Sequence, residues 1–284
     1  MKKTFHAPDY DLAATLESGQ AFRWILGEQG WEGAVGDRWV RLRQRSTKVI
    51  AEVVGDADDW AWLKTYLRLG DNLADIIETF PDDEPMRLST EACRGLRLLQ
   101  QPAWECLASF ICSSSKQIVQ IRQIVANLCE RFGDKLKTDS ANAWFGFPKP
   151  EVLAKCAESE LRECKMGYRA PYVLGSAQMV AFGEIDLESL REMDCDTARR
   201  CLLTLPGVGR KVADCVLLFA YGFQDAFPID VWIGRGLREL YFPRRKPTRK
   251  RLEKFTGTYF GPYAGYAQQY LFHYVRTKRA TDDS

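Results

Sequence analysis

The run Leu205-Pro206-Gly207-Val208-Gly209-Arg210-Lys211 leaves the backbone few options. Residues 196–204 read as a short helix with Asp196 near its start. Pro206 ends it, because a proline cannot donate to the preceding turn and pushes its neighbour away from helical angles. Gly207 and Gly209 open backbone angles that other residues avoid. From about Arg210 to Tyr221 the apolar residues Val212, Cys215, Val216 and Phe219 return at helical spacing. The segment at about 196–222 therefore predicts helix, hairpin, helix. The hairpin's free N–H groups and the second helix's start point the same way, which makes an anion site for a phosphate at Gly207, Gly209 and Arg210. The plain alternative is an ordinary helix–helix turn that contains glycines.

Lys211 falls in the first turn of the second helix, where the dipole disfavours a cation. A neutral amine in a partly desolvated pocket is a nucleophile that can form a Schiff base with a sugar carbon. A surface lysine that touches phosphate is the commoner fate. Asp230, in Phe227-Pro228-Ile229-Asp230, precedes a predicted helix from Val231 to Leu240 and suits its N-cap. A capping carboxylate near an amine also suits a developing oxocarbenium ion or proton handling.

Leu205 to Cys215 with Phe227 to Asp230 resembles the helix-hairpin-helix DNA glycosylase superfamily, and within it the chain looks most like the 8-oxoguanine DNA glycosylases. Four further segments match. Ser18-Gly19-Gln20-Ala21-Phe22-Arg23-Trp24 resembles the motif whose glycine carbonyl, here Gly19, accepts the N7 hydrogen that 8-oxoguanine has and guanine lacks. Gly261 to Phe272 resembles the C-terminal helix. There Gln268 and Phe272, four apart on one helix face, would read and stack the flipped base, with Cys215 as the opposite wall. Phe110 to Ile118 resembles the segment that wedges into the duplex gap near Ser115. Gly167-Tyr168-Arg169-Ala170 resembles the reader of the orphaned cytosine, with Tyr168 as wedge and Arg169 as donor. The pattern departs at Ser115, Lys116 and Gln117, where eukaryotic members carry asparagines, and at Gln120, where a second cytosine-reading arginine would stand.

The resemblance implies an N-terminal β-sheet domain, two helical lobes and an active site in the cleft between them. It also implies a glycosylase and lyase acting on duplex DNA that contains 8-oxoguanine, with Lys211 attacking C1′, Asp230 favouring glycosidic cleavage, and no metal or organic cofactor. Three rivals remain. Alkylated-base glycosylases normally lack the lysine. Iron–sulfur relatives use four cysteines near the C-terminus, whereas the last cysteine here is Cys215. A non-catalytic hairpin module would not need Asp230 or the Gln268/Phe272 pair.

The remaining properties bound these readings. A chain of 284 residues can bury one large core or form two to three small domains. No apolar stretch of about 18 residues appears and no signal-peptide pattern opens the chain. The expectation is an intracellular, DNA-associated monomer with no membrane contact. Nine cysteines without paired spacing fit free buried thiols in a reducing compartment. Two histidines make a histidine metal site or triad a poor fit. The net charge of +2 is unevenly spread: residues 51–91 hold eleven acidic and three basic side chains, whereas residues 205–284 hold fourteen basic and seven acidic. The densest basic run, Arg244 to Arg251, suits either a solvated face or a DNA backbone.

From Ala21 to Val54 short apolar runs alternate with glycines, which predicts an antiparallel meander, backed by a helix or two from Trp60 to Phe80. From Pro102 the pattern is helical, with one series at Ile111, Ile118, Ile121, Val125 and Leu128 and another at Leu174, Ala177, Met179 and Phe182. Residues 81–85 and 147–150 read as connections, and 280–284 as a frayed end. The fold class is α+β, with a sheet domain over 1–100 and a helical region over 101–284.

Overall fold

The computed structural model describes residues 1–55 and 59–282, with side chains as far as Lys278. The protein is α+β. Five antiparallel strands form a sheet in the order β1-β5-β4-β3-β2, with β1 at Lys2–His6, β2 at Ile25–Gly27, β3 at Gly30–Val35, β4 at Arg38–Arg45 and β5 at Lys48–Val53. The last four make the expected meander. Two-residue turns at Gly36-Asp37 and Ser46-Thr47 join β3 to β4 and β4 to β5, and positive φ at Gly36 and Ser46 matches the strand twist. Strand β1 pairs with β5 from Lys2↔Glu52 to His6↔Lys48 and lies outside the stretch read as strands. Phe5 is its one buried side chain, so β1 lacks the alternation that marks a half-buried strand.

One face of the sheet packs Trp31, Val40, Leu42, Val49 and Ala51 against Trp24, Leu63, Tyr66 and Leu67. The other places Ala34 and Trp39 against Leu136 from the helical region. Buried Arg41 on this face is held by Glu32 and Asp139, both at 2.9 Å.

The helical core runs through Ala103–Cys112, Ile118–Phe132, Ala170–Ala181, Cys195–Leu202, Arg210–Val216, Val231–Tyr241 and Ala264–Asp282. Leu73, Ile76, Met86, Cys93, Leu96 and Leu98 join this core rather than the sheet's. The series read through Ile111 and Ile118 is broken at Ser113–Gln117, where Ser115 takes φ +54, so Ile111 belongs to one helix and Ile118 to the next. Phe182 caps its helix and stands exposed, outside the apolar series. Glu84 and Pro85 open a helix capped by Asp83 rather than a connection, since proline is tolerated in a first turn. The C-terminal helix continues through 280–282 without fraying, and 283–284 lie outside the described residues.

The helix before the hairpin runs Cys195–Leu202, with Asp196 in its first turn and Asp194 as its cap. Behind the hairpin, Arg199 Nε meets buried Asp214 at 2.7 Å and Arg210 Nε approaches the same carboxylate at 3.7 Å. Asp214→Ala is expected to cost about 2–3 kcal/mol, because it leaves the buried Arg199 guanidinium with exposed Asp196 as its remaining carboxylate partner. An unchanged urea midpoint would refute this.

Candidate active site

The hairpin forms as its residues dictate, with one difference. Val208 N–H donates to Leu205 O at 3.2 Å, and Gly207 takes φ +74. A Cβ on Gly207 would lie 2.6 Å from Tyr172 Cβ, so both angle and space require glycine. Gly209 requires neither. It is an extended N-cap at φ −91, and a Cβ there would meet nothing within 4 Å. The helix it opens runs Arg210–Val216 and continues as a widened turn over Leu217–Tyr221. Gly209 and Arg210 are exposed.

A cleft of about 480 Å³ opens between the hairpin's second helix, the Ser18–Gln20 turn and the C-terminal helix. Gly19, Lys211, Cys215, Asp230, Gln268 and Phe272 all line it, although they come from four separate stretches of sequence. Lys211 Nζ donates to Ser113 Oγ at 2.9 Å and lies 4.9 Å from the centre of the Phe110 ring. That ring stacks on Phe219 at 5.6 Å. Asp230 caps Val231–Tyr241 as predicted, its Oδ1 accepting from Ile233 N–H at 2.8 Å. Burial pushes its carboxyl above the usual aspartate range, against the pull of the Ile233 amide and the Lys211 ammonium. Burial also pushes the Cys215 thiol up to about 12, which leaves an uncharged apolar wall.

Gly19 takes φ +78, and a Cβ there would lie 2.6 Å from Ile118 Cδ1 and 3.4 Å from Phe272 Cε1. Its neighbours fix it in place. Buried Gln20 donates through Nε2 to Thr15 O and Arg97 O, both at 2.8 Å, and accepts from Leu99 N–H at 2.7 Å. Gln269 Nε2 donates to Ser18 O at 3.0 Å, which ties the turn to the C-terminal helix. Gln268 is 4 % exposed, and its Oε1 has no hydrogen-bond partner among the described residues.

The residues expected to meet the opposite strand lie outside the cleft lining. Tyr168 is 52 % exposed and Ser115 is exposed. Gln120 Oε1 accepts from Gln117 N–H at 3.1 Å, which makes it a helix cap. Arg169 does not face outward as expected: it is 3 % exposed and donates through Nε to Ser114 O at 2.9 Å. Sequence reasoning assigned no role to Phe110, Ser113, Phe219, Arg122, Trp232 or Arg276, which also line the cleft. Only Phe110 and Ser113 carried a signal, through their place in the Phe110–Ile118 segment.

Comparison with known proteins agrees with this geometry. Residues 4–107 match the family model of the 8-oxoguanine DNA glycosylase N-terminal domain, and residues 108–261 match that of the HhH-GPD superfamily base excision DNA repair proteins. A probable N-glycosylase/DNA lyase of Methanothermobacter thermautotrophicus is 33 % identical over 224 residues, covering 72 % of this chain and 71 % of the relative. An N-glycosylase/DNA lyase of Arabidopsis thaliana is 32 % identical over 280 residues, covering 92 % and 76 %. The 8-oxoguanine glycosylase/lyase of Clostridium acetobutylicum, solved with double-stranded DNA containing cytosine opposite 8-oxoguanine, superposes with a TM-score of 0.92 at 27 % identity over 98 % of both chains. Hairpin, capping aspartate, cleft lysine and both family matches lead to one conclusion: the chain belongs to the 8-oxoguanine DNA glycosylase/AP lyases of the helix-hairpin-helix superfamily.

Proposed function

We propose that this chain excises 8-oxoguanine from duplex DNA and nicks the resulting abasic strand, with Lys211 as nucleophile and Asp230 as the charge that favours glycosidic cleavage. One observation carries the reading: an unpaired buried acceptor, Gln268 Oε1, shares a cleft with an amine and a carboxylate. The Watson–Crick edge of a guanine-type base presents N–H donors, which suit that acceptor.

The damaged nucleotide leaves the stack, because its glycosidic bond is out of reach inside the duplex. Tyr168 and residues near Ser115 fill the gap, while Gly207, Gly209 and Arg210 contact the backbone. The base lies between Phe272 and Cys215, with Gly19 O accepting its N7 hydrogen and Gln268 reading its far edge. Guanine would turn a lone pair toward the same carbonyl and be rejected. The C1′–N9 bond breaks as Asp230 stabilises positive charge on the sugar. The Lys211 nitrogen, deprotonated for attack, bonds to C1′; the C1′–O4′ bond then breaks, O4′ takes a proton from the nitrogen, and an imine forms. Loss of a C2′ proton then expels the 3′ phosphate by β-elimination. Protein groups supply every step, and the chain is proposed to work as a monomer, DNA-associated, with 1–100 as its sheet domain and 101–284 as its two helical lobes.

The test uses duplexes with one 8-oxoguanine or with guanine at that position. Base release from the first alone, with a borohydride-trapped adduct, is the expected result. Binding without release or adduct would favour a non-catalytic hairpin module. With Gln120 occupied as a cap, cytosine recognition has lost one arm, so excision rates opposite cytosine and adenine are expected to be nearly equal. A strong cytosine preference would count against that assignment.

A further inference from the structure

Arg169 occupies the position of an opposite-strand reader, but its guanidinium is turned inward. Nε donates to Ser114 O at 2.9 Å, Nη2 donates to the same oxygen, and Nη1 donates to Met166 O at 3.3 Å. The guanidinium lies 4.2 Å from the centre of the Tyr168 ring. Charge-assisted bonds of this kind hold a carbonyl firmly.

The next residue back is Ser113, whose hydroxyl donates to Phe110 O at 2.7 Å and accepts from Lys211 Nζ at 2.9 Å. Its single proton is committed to Phe110, so toward the lysine it acts only as an acceptor. Once the ammonium has given up a proton, an amine that gives Ser113 one N–H has its lone pair left to face elsewhere, and the Phe110 ring closes one direction. A continuous path thus runs from Arg169 through the Ser114 carbonyl and the Ser113 hydroxyl to the cleft amine.

We propose that Arg169 is a positioning residue for Lys211, acting through Ser114 and Ser113, independently of any contact with the opposite strand. The proposal rests on Lys211 being the nucleophile. It predicts that Arg169 matters where there is no opposite base to read.

The test is the borohydride-trapping rate on a single-stranded oligonucleotide with one abasic site, at saturating DNA. Arg169→Ala and Ser113→Ala are each expected to slow trapping about tenfold, the scale of one hydrogen bond to a charged group. The DNA concentration for half-saturation should not change. The double variant should be no slower than the slower single variant, because both cut one path. Ser113→Thr, which keeps the hydroxyl, should restore most of the rate. If Arg169→Ala fails to fold by circular dichroism, Arg169→Lys, which keeps one donor, takes its place with a smaller slowing expected. A wild-type rate for the Arg169 variant on single strands, with a defect only on duplexes, would overturn the proposal. Failure of the nucleophile reading looks different: the wild-type protein would then give no adduct at all.

Discussion

Lys211→Gln is expected to bind lesion-containing duplex with near wild-type affinity yet form no borohydride adduct and no nick. Glutamine keeps much of the lysine's length and can still donate to Ser113 Oγ, so the cleft wall stays in place. It has no basic nitrogen lone pair, so the imine cannot form. The loss should be about a thousandfold or more for the lyase step. Base release should fall less, since Asp230 remains to stabilise the sugar cation while water attacks. Duplex nicking and adduct yield measured on one preparation separate the two steps. A persistent adduct would move the nucleophile to another residue.

Asp230→Asn should be nearly as damaging, with a different signature. Asparagine caps a helix about as well as aspartate, so the bond from Ile233 N–H at 2.8 Å should survive. The negative charge does not, and base release should slow by about a hundredfold to a thousandfold, the usual cost of a lost transition-state stabiliser. The pH behaviour follows from burial. Asp230 titrates above the ordinary aspartate range, so the unfolded chain gives up this proton at lower pH than the folded protein does. Its contribution to stability is therefore present below the unfolded value and lost as pH rises through the folded one. At neutral pH the charged carboxylate is a cost to the fold, and the asparagine variant should be at least as stable as wild type. The acid limb of base release in the wild type should lie above the pH of a solvated aspartate, and the variant should lack that limb. A marked fall in thermal midpoint would show that the carboxylate is needed for folding instead.

What could be read from the sequence divides along physical lines. The hairpin and the Asp230 cap were legible because each depends on a few neighbouring residues: a proline that stops a helix, a glycine at positive φ, a carboxylate before an apolar run. Gly209 was misjudged because its composition says glycine while its conformation, φ −91, suits many residues. Strand β1 was missed because its pairing with Lys48–Val53 lies some fifty positions away, and Lys2–His6 buries only Phe5. The residues proposed to read the base were suggested only through resemblance, since nothing local brings Gly19 beside Phe272. The bond from Lys211 to Ser113 and the inward turn of Arg169 were beyond reach for the same reason: each is a hydrogen bond across the fold. Sequence reports residue types well, but it reports side-chain direction poorly.

The bond from Gln269 to Ser18 spans 251 positions. The carbonyl proposed to sense N7 and the amide proposed to sense the opposite base edge therefore belong to two far ends of the chain, joined by that bond and by Arg276 Nη2 donating to Glu17 O at 3.0 Å. The same C-terminal helix packs into the core that holds the Lys211 helix, and its Gly265 N–H donates to Gln224 O at 2.7 Å. Local opening of the C-terminal helix, an event proteins undergo at less than the full unfolding free energy, would part the proposed lesion sensor and also unpack the helix that Asp230 caps, which lies against it. In this architecture the fidelity of repair and its chemistry lean on one helix, so neither outlasts the other.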